Sequence, residues 1–207
     1  IAIQANQNEM HGGQSVPNFD YAMAEGVKKT YRKQYFRALA QYIEVRFDMS
    51  ASDAAALTAA IKEALGTDVT MHTAEAYAEK LRAFLPRHQA ENGFQIITGD
   101  AARAAAEYAA KTAYKETDAA TYQAMEALVH NLNTMNSRAG AQVPFSSLNY
   151  GTDTSPEGRM AVHNLLRATE AGLGDGETPI FPVQIFKVKE GVNYNEGDPN
   201  YDLFRHA

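Results

Sequence analysis

The chain has 207 residues, of which 45% are hydrophobic and 21% are charged, and its formal net charge is −6. This composition is ordinary for a globular protein and allows one large domain or part of something larger. A general nucleic-acid binder is not expected, because such proteins need clustered lysine and arginine. A membrane span is not expected either, because no run of roughly 18 apolar residues occurs.

The sequence contains no cysteine and six histidines. Without cysteine these residues can form no disulfide, thiolate zinc site, cysteine nucleophile or thiyl radical, and such a composition fits a cytoplasmic protein. No two histidines have the spacing of metal ligands, so no metal site is predicted. The six are scattered along the chain at His11, His72, His88, His130, His163 and His206.

The first half of the chain is predicted to be mainly helical. A polar, glycine-bearing loop covers residues 6–15, and a helix begins at Asn18 or Asp20 and continues through Leu39. The region that follows is rich in alanine and other helix formers. Its predicted elements are a helix between the capping box at Ser50–Asp53 and Gly66, a helix over 73–85 ended by Pro86, a short strand over 94–98, and a helix over 100–115.

From Thr117 the pattern alternates between helices and strands. Parts of an α/β architecture with crossover helices show this order, but two or three strands cannot close a sheet, so further strands are expected from elsewhere. The predicted elements are a helix up to Met135, a polar loop over Asn136–Gln142, a strand over 143–150, a helix that starts at Ser155–Glu157 and ends near Gly172, a strand over 182–188, and a short helix opened by Asp198–Pro199.

A row of cations on the first helix is the strongest candidate for ligand binding. Lys29, Lys33 and Arg37 recur at i, i+4 and i+8 and therefore share one helix face, with Lys28 and Arg32 beside it. No acidic residue interrupts the sequence between Glu25 and Glu44. Such a face is either simply solvated or a clamp for phosphate groups, in which lysine acts as a point charge and arginine as a fork.

Three glycine-bearing segments are less specific. His11-Gly12-Gly13-Gln14 is either a plain turn or a place where backbone N–H groups approach an anion or a base closely. The segment Asn136–Gln142 is either a connector between helix and strand or a binding loop. The glycines from Gly172 to Gly176 follow a helix and precede a strand, the reverse of a dinucleotide-binding loop, so a helix C-cap is predicted there.

Six stretches, taken together and in this order, resemble signature segments of the anaerobic (class III, glycyl-radical) ribonucleoside-triphosphate reductases. The resemblance covers roughly residues 1–37 and 116–207 and leaves the alanine-rich region between them similar only in being helical. The stretches are His11–Tyr21, Thr121–Ala127, Pro144–Thr154, Ala168–Gly174, Phe181–Tyr194 and Gly197–Phe204.

The resemblance implies an α/β fold, with residues 1–207 a helix-rich fragment of a ten-stranded α/β barrel and 38–115 a variable helical insertion within it. It implies reduction of ribonucleoside triphosphates by a radical enzyme. That chemistry uses a glycyl radical installed by an S-adenosylmethionine activase, formate or a thiol reductant, and a zinc site in the C-terminal part. The family's cysteines are expected before Ile1 and after Ala207. The chain alone is therefore expected to be inactive, with no catalytic residue and no cofactor of its own.

The resemblance also assigns regulatory residues. Family members are homodimers in which two mobile loops near the dimer interface read a bound deoxynucleotide or ATP effector, and the cationic helix follows the first loop. Two other functions stay open: a non-catalytic nucleotide-binding regulator, and a helical module that binds a partner through residues 38–115. The predicted effector or substrate contacts are His11, Gly12, Gly13, Gln14, Lys29, Lys33, Arg37, Asn136, Ser137, Arg138, Gly140 and Gln142.

Overall fold

The computed structural model describes residues 12–92, 97–134, 143, 145–174 and 177–207. Within these ranges three short strands and six helices form. In chain order they are β1 (Gln14–Val16), α1 (Phe19–Arg46), α2 (Ala51–Leu65), α3 (Ala74–Asn92), α4 (Gly99–Thr134), β2 (Ser146–Tyr150), α5 (Pro156–Ala171), β3 (Val183–Phe186) and α6 (Tyr201–His206).

The strands form one parallel sheet in the order β1-β2-β3, with β2 in the centre. The register pairs Gln14 with Ser146 at the start of β1, and Tyr150 with Phe186 at the end of β3. Parallel neighbours cannot be joined by a tight turn, and both connections here run through helices. The α/β class predicted from the sequence is therefore confirmed.

The chain divides into two compact units with boundaries at Val27 and Asp118. The sheet unit contains the described residues up to Val27 and those from Asp118 onwards. The helical unit is Lys28–Thr117. Its core is aromatic on one side, where the Tyr35 ring meets Phe36 and Tyr77 edge to face at 5.5 and 5.7 Å between centroids. Burial raises the pKa of Tyr77 to about 12.

Alanine supplies the other side of that core. One face of α4 is fully buried through small side chains, and helices whose contact residues are small can pack at short distances. The alanine-rich composition of this region is therefore explained by packing. The buried residues of this face are Ala102, Ala105, Ala106, Ala109 and Ala113.

The sheet unit is organised around a buried carboxylate. Asp20, in the first turn of α1, is fully buried, and its Oδ2 accepts hydrogen bonds from the backbone N–H groups of Gly151, Thr152 and Asp153, each at 2.9 Å. From the other side, Asn200 Nδ2 donates to the carbonyls of Gly151 and Asp153. The segment that follows β2 therefore has its donors and its acceptors satisfied by different parts of the chain.

Four predicted elements differ from those observed. Pro86 lies inside α3, which continues to Asn92, and the two helices predicted after residue 100 are one helix of 36 residues. Gln14–Val16 is a strand rather than part of a loop. The strand expected over 94–98 is not found at Ile97 and Thr98, and its first three residues lie outside the described ranges.

Replacing Asp20 by asparagine should destabilise the sheet unit. The amide keeps one oxygen but loses the charge that strengthens three hydrogen bonds in a buried site, so the free energy of unfolding should fall by about 2 kcal/mol. Urea titration of the variant measures this. Glu126→Gln, an exposed acid on α4, is the control and should change the value by less than about 0.5 kcal/mol. Equal effects of the two changes would contradict the role given to Asp20.

Candidate functional site

A cationic groove lies between α1 and α2 in the helical unit. It has a volume of about 520 Å³, and the charged side chains that line it are Lys29, Arg32, Lys33, Arg37 and Lys62. None of the residues lining it is acidic. The spacing on α1 predicted that Lys29, Lys33 and Arg37 share a face, and the structure brings these three together at the groove.

Two of the groove cations are held in place by neighbours. Arg32 Nη2 forms an ion pair of 2.7 Å with Asp68 Oδ1, and the Lys62 ammonium lies 4.9 Å from the centroid of the Phe36 ring. Lys29, Lys33 and Arg37 are exposed, and none of them forms an ion pair with another described residue. The groove thus combines two cations that have side-chain partners with three that form no ion pair among the described residues.

The second candidate surface is the edge of the sheet at which the strands begin. Gln14 N–H donates to the carbonyl of Phe145 at 2.9 Å, and the rings of Phe145 and Phe181 meet edge to face at 5.1 Å. Phe145 is 58% exposed and Ile180 is 74% exposed. Large apolar side chains this exposed beside glycines offer a surface for a flat ligand or for another part of the protein.

Gly12 and Gly13 have different reasons to be glycine. Gly12 has φ +107°, a conformation that other residues rarely adopt, and its Cβ position is open. A Cβ on Gly13 would lie 2.6 Å from Phe145 Cδ1 and 3.3 Å from the Phe145 carbonyl oxygen. Gly13 therefore permits the close approach of the segment before β1 to the segment before β2.

Asn133 anchors the same edge from the end of α4. Its Oδ1 accepts the N–H groups of Ile180 at 2.9 Å and Phe181 at 3.0 Å, and its Nδ2 donates to the Phe181 carbonyl. The residues before β3 are thereby tied to the last turn of α4. That turn precedes, in sequence, the segment Asn136–Gln142.

The predicted site residues are divided between these places. Gly12, Gly13 and Gln14 lie at the sheet edge, and the three α1 cations lie in the groove. Sequence reasoning missed Lys62, Phe145 and Asn133, whose contacts depend on packing between elements distant in sequence. The remaining predicted residues lie outside the described ranges: His11, Asn136, Ser137, Arg138, Gly140 and Gln142.

The described residues contain neither a metal-binding cluster nor a membrane-spanning helix. The described histidines, aspartates and glutamates form no group of three that could hold a metal ion. Among the described helices, none is long and apolar enough to cross a membrane.

Parallel strands joined through helices place the chain among α/β proteins. The sequence profile described as anaerobic ribonucleoside-triphosphate reductase matches residues 1–207, and the chain belongs to this family. The family resemblance drawn from the sequence is thus confirmed.

Individual relatives agree with this assignment. The chain is similar to proteins named anaerobic ribonucleoside-triphosphate reductase from Escherichia coli K12, with 39% identity over 83 residues, and from Enterobacteria phage T4, with 41% identity over 92 residues. These matches cover 40% and 44% of this chain, and 12% and 15% of the respective relatives. The matched segment is therefore a small part of those proteins.

Alanine substitutions at Gly13 and Gly26 should change the free energy of unfolding in opposite directions, which tests the close approach at Gly13. Gly13→Ala forces the Phe145 ring or the start of β1 to move, so the free energy of unfolding should fall by about 1–3 kcal/mol. Gly26→Ala, within α1 and with no atom within 4 Å of the added Cβ, should raise it by about 0.5–1 kcal/mol.

Denaturant titration of both variants measures these changes. In a Phe145→Ala background the penalty at Gly13 should largely disappear, because the clashing ring is gone. A Gly13 variant as stable as the parent would show that the two segments do not approach closely.

Proposed function

We propose that the chain is part of a radical enzyme that reduces ribonucleoside triphosphates to deoxyribonucleoside triphosphates. The observation that carries this is the family match over residues 1–207, joined by the names of the relatives. The three parallel strands are then part of the ten-stranded barrel, and residues 38–115 are a helical insertion. The helical unit, Lys28–Thr117, contains this range and has a core of its own, which supports the proposal.

The chemical step of this proposal needs residues that the chain does not contain. The hydrogen-abstracting group would be a cysteine, and the 207 residues contain none. The glycyl radical, its S-adenosylmethionine activase, formate or a thiol reductant, and zinc would act in the complete enzyme. In this proposal the segment binds nucleotide and supports the dimer, as the family resemblance implies.

The sheet edge supports an effector-reading role for two loops. The pairing of Gln14 with Ser146 sets the chain entering β1 beside the chain entering β2. The first proposed loop, His11–Asn18, includes β1, and the second, Asn136–Gln142, comes shortly before β2. Because Gly13 packs against Phe145, a displacement at one entrance is transmitted to the other. A pair of coupled entrances is what communication between effector and substrate requires.

The cationic groove supports a role in binding effector phosphates. In an acidic chain with net charge −6, five cations line one groove and no acid lines it. Lys33 lies in the middle of the α1 row, between Lys29 and Arg37. Of the three, Lys33 is therefore the residue whose loss should most weaken the binding of a phosphate chain that lies along the row.

Lys33→Ala in the complete enzyme should weaken effector binding. One charge-assisted contact is worth roughly 1.5–3 kcal/mol, so the effector dissociation constant should rise about tenfold or more without loss of stability. Equilibrium dialysis with a deoxynucleotide effector measures the constant. Lys111→Ala removes an exposed lysine of α4 in the same unit and is the matched control. An unchanged constant in the Lys33 variant would identify the α1 face as a solvated surface.

Arg138→Ala should flatten the effector-dependent choice among substrates more than it lowers total turnover. Arg138 is the cation of the second proposed loop, and couplings between sites are typically worth 1–3 kcal/mol, or roughly 5- to 150-fold in relative preference. The assay is competition among the four ribonucleoside triphosphates with each effector in turn. A variant that keeps the parent's preference pattern and loses only rate would assign Arg138 to substrate binding or to structure.

A further inference from the structure

The cationic groove is built from two parts of the chain that the sequence alone does not connect. Lys29, Lys33 and Arg37 come from α1, whereas Lys62 comes from α2, within the proposed insertion. Lys62 is the single cation of α2. Thr67, in the segment after α2, also lines the groove. The insertion therefore supplies one wall of a surface whose other wall was predicted from helix spacing.

Two cations of the groove, Lys62 on α2 and Arg32 on α1, are positioned by neighbouring side chains. The Lys62 ammonium rests over the Phe36 ring at 4.9 Å, and that ring packs edge to face on Tyr35 and Tyr77. Asp68 holds one terminal nitrogen of Arg32 at 2.7 Å, while the buried Arg32 Nε has no hydrogen-bond partner among the described residues. Cations that are already positioned lose less conformational entropy when they bind an anion.

The charges of the groove are not balanced by the protein around it. Of the five cations, Arg32 is paired with Asp68, which leaves four without an ion-pair partner in the described part of the chain. Like charges spaced four residues apart on a helix are mutually destabilising by a few tenths of a kcal/mol per pair. A bound polyanion would remove this repulsion.

Size selects the kind of anion. From Lys29 to Arg37 the α1 row extends over eight residues, roughly 12 Å at the rise of an α-helix. The volume of about 520 Å³ lies within the range of sites that take small molecules, about 300–1,000 Å³. A single phosphate would reach only part of this row, whereas a chain of several phosphates can contact both walls.

We infer that Lys62, from the proposed insertion, is a further ligand of the phosphate groups proposed to bind along the α1 row, so that a linear polyphosphate contacts both walls of the groove. The anion chemistry follows from the groove alone. Its assignment to a nucleotide effector rests on the proposed function. The insertion then has a binding role of its own in addition to its packing.

Lysine footprinting on the full-length protein tests the anion site with a local readout. The protein is acetylated with an amine-reactive ester with and without inorganic tripolyphosphate, and modification of each lysine is followed by mass spectrometry. At a tripolyphosphate concentration ten times the dissociation constant, acetylation of Lys33 and Lys62 should slow about tenfold. Lys111, outside the groove, should react at an unchanged rate, and orthophosphate at the same concentration should protect weakly. Reactivity of Lys62 that tripolyphosphate does not change would overturn the inference.

A second measurement separates this inference from the proposed function. Lys62→Ala should raise the tripolyphosphate concentration that half-protects Lys33 about tenfold or more, and Lys62→Arg, which keeps the charge, should restore most of it. Loss of protection in both variants alike would assign Lys62 to packing and overturn its role as a ligand. If tripolyphosphate protects the groove but Lys33→Ala and Lys62→Ala leave the effector constant unchanged, the anion site stands and the effector assignment fails.

Discussion

Asp20 is the residue on which the geometry of the sheet unit depends. Its buried carboxylate accepts hydrogen bonds from three consecutive backbone N–H groups directly after the central strand. These N–H groups lie outside any strand or helix, so the carboxylate supplies the acceptor that regular secondary structure would otherwise provide. Asn193 and Asn200 bind the carbonyl of Gly151 from the opposite direction. The start of α1, the end of β2 and the segment leading to α6 are thus fixed to one another. Water is excluded there, which strengthens each of these bonds.

The two edges of the sheet are therefore unequal. At the carboxyl ends of the strands, Asp20 and the two asparagines hydrogen-bond to both backbone polar groups of Gly151. Neither group is therefore available to a ligand. At the amino ends, the contacts of the described residues include a hydrogen bond from Gln14 to Phe145, aromatic packing with Phe181, and the hydrogen bonds that Asn133 makes with Ile180 and Phe181. The carboxyl ends of the strands are thus held by buried polar groups, whereas the amino ends present a partly exposed aromatic surface.

Local chemistry made part of this structure predictable. The caps at Ser50 and Ser155 were expected from sequence, and both hydroxyls accept the N–H three residues on, at 3.1 Å. Pro86 was wrongly expected to end its helix: the ring removes one hydrogen bond, and the helix continues because Leu81, Leu85 and Gln89 keep its buried face intact. The strand Gln14–Val16 was missed because its residues pair only with a segment about 130 positions away. Tertiary contact, not propensity, forms that strand.

The same distinction explains which part of the candidate site was predictable. Lys29, Lys33 and Arg37 follow from the period of one helix, whereas Lys62 joins them only because α2 packs beside α1. Their clustering also runs against local stability, since a helix gains from alternating charge and loses from a like-charged row. Elsewhere in the helical unit, Arg103 follows such a rule, because it is paired with Glu79 and Glu107 on the surface of α4. Sequences usually break a local rule where function requires it. The unbalanced groove breaks such a rule, and that is a physical reason, independent of family membership, to seek a ligand there.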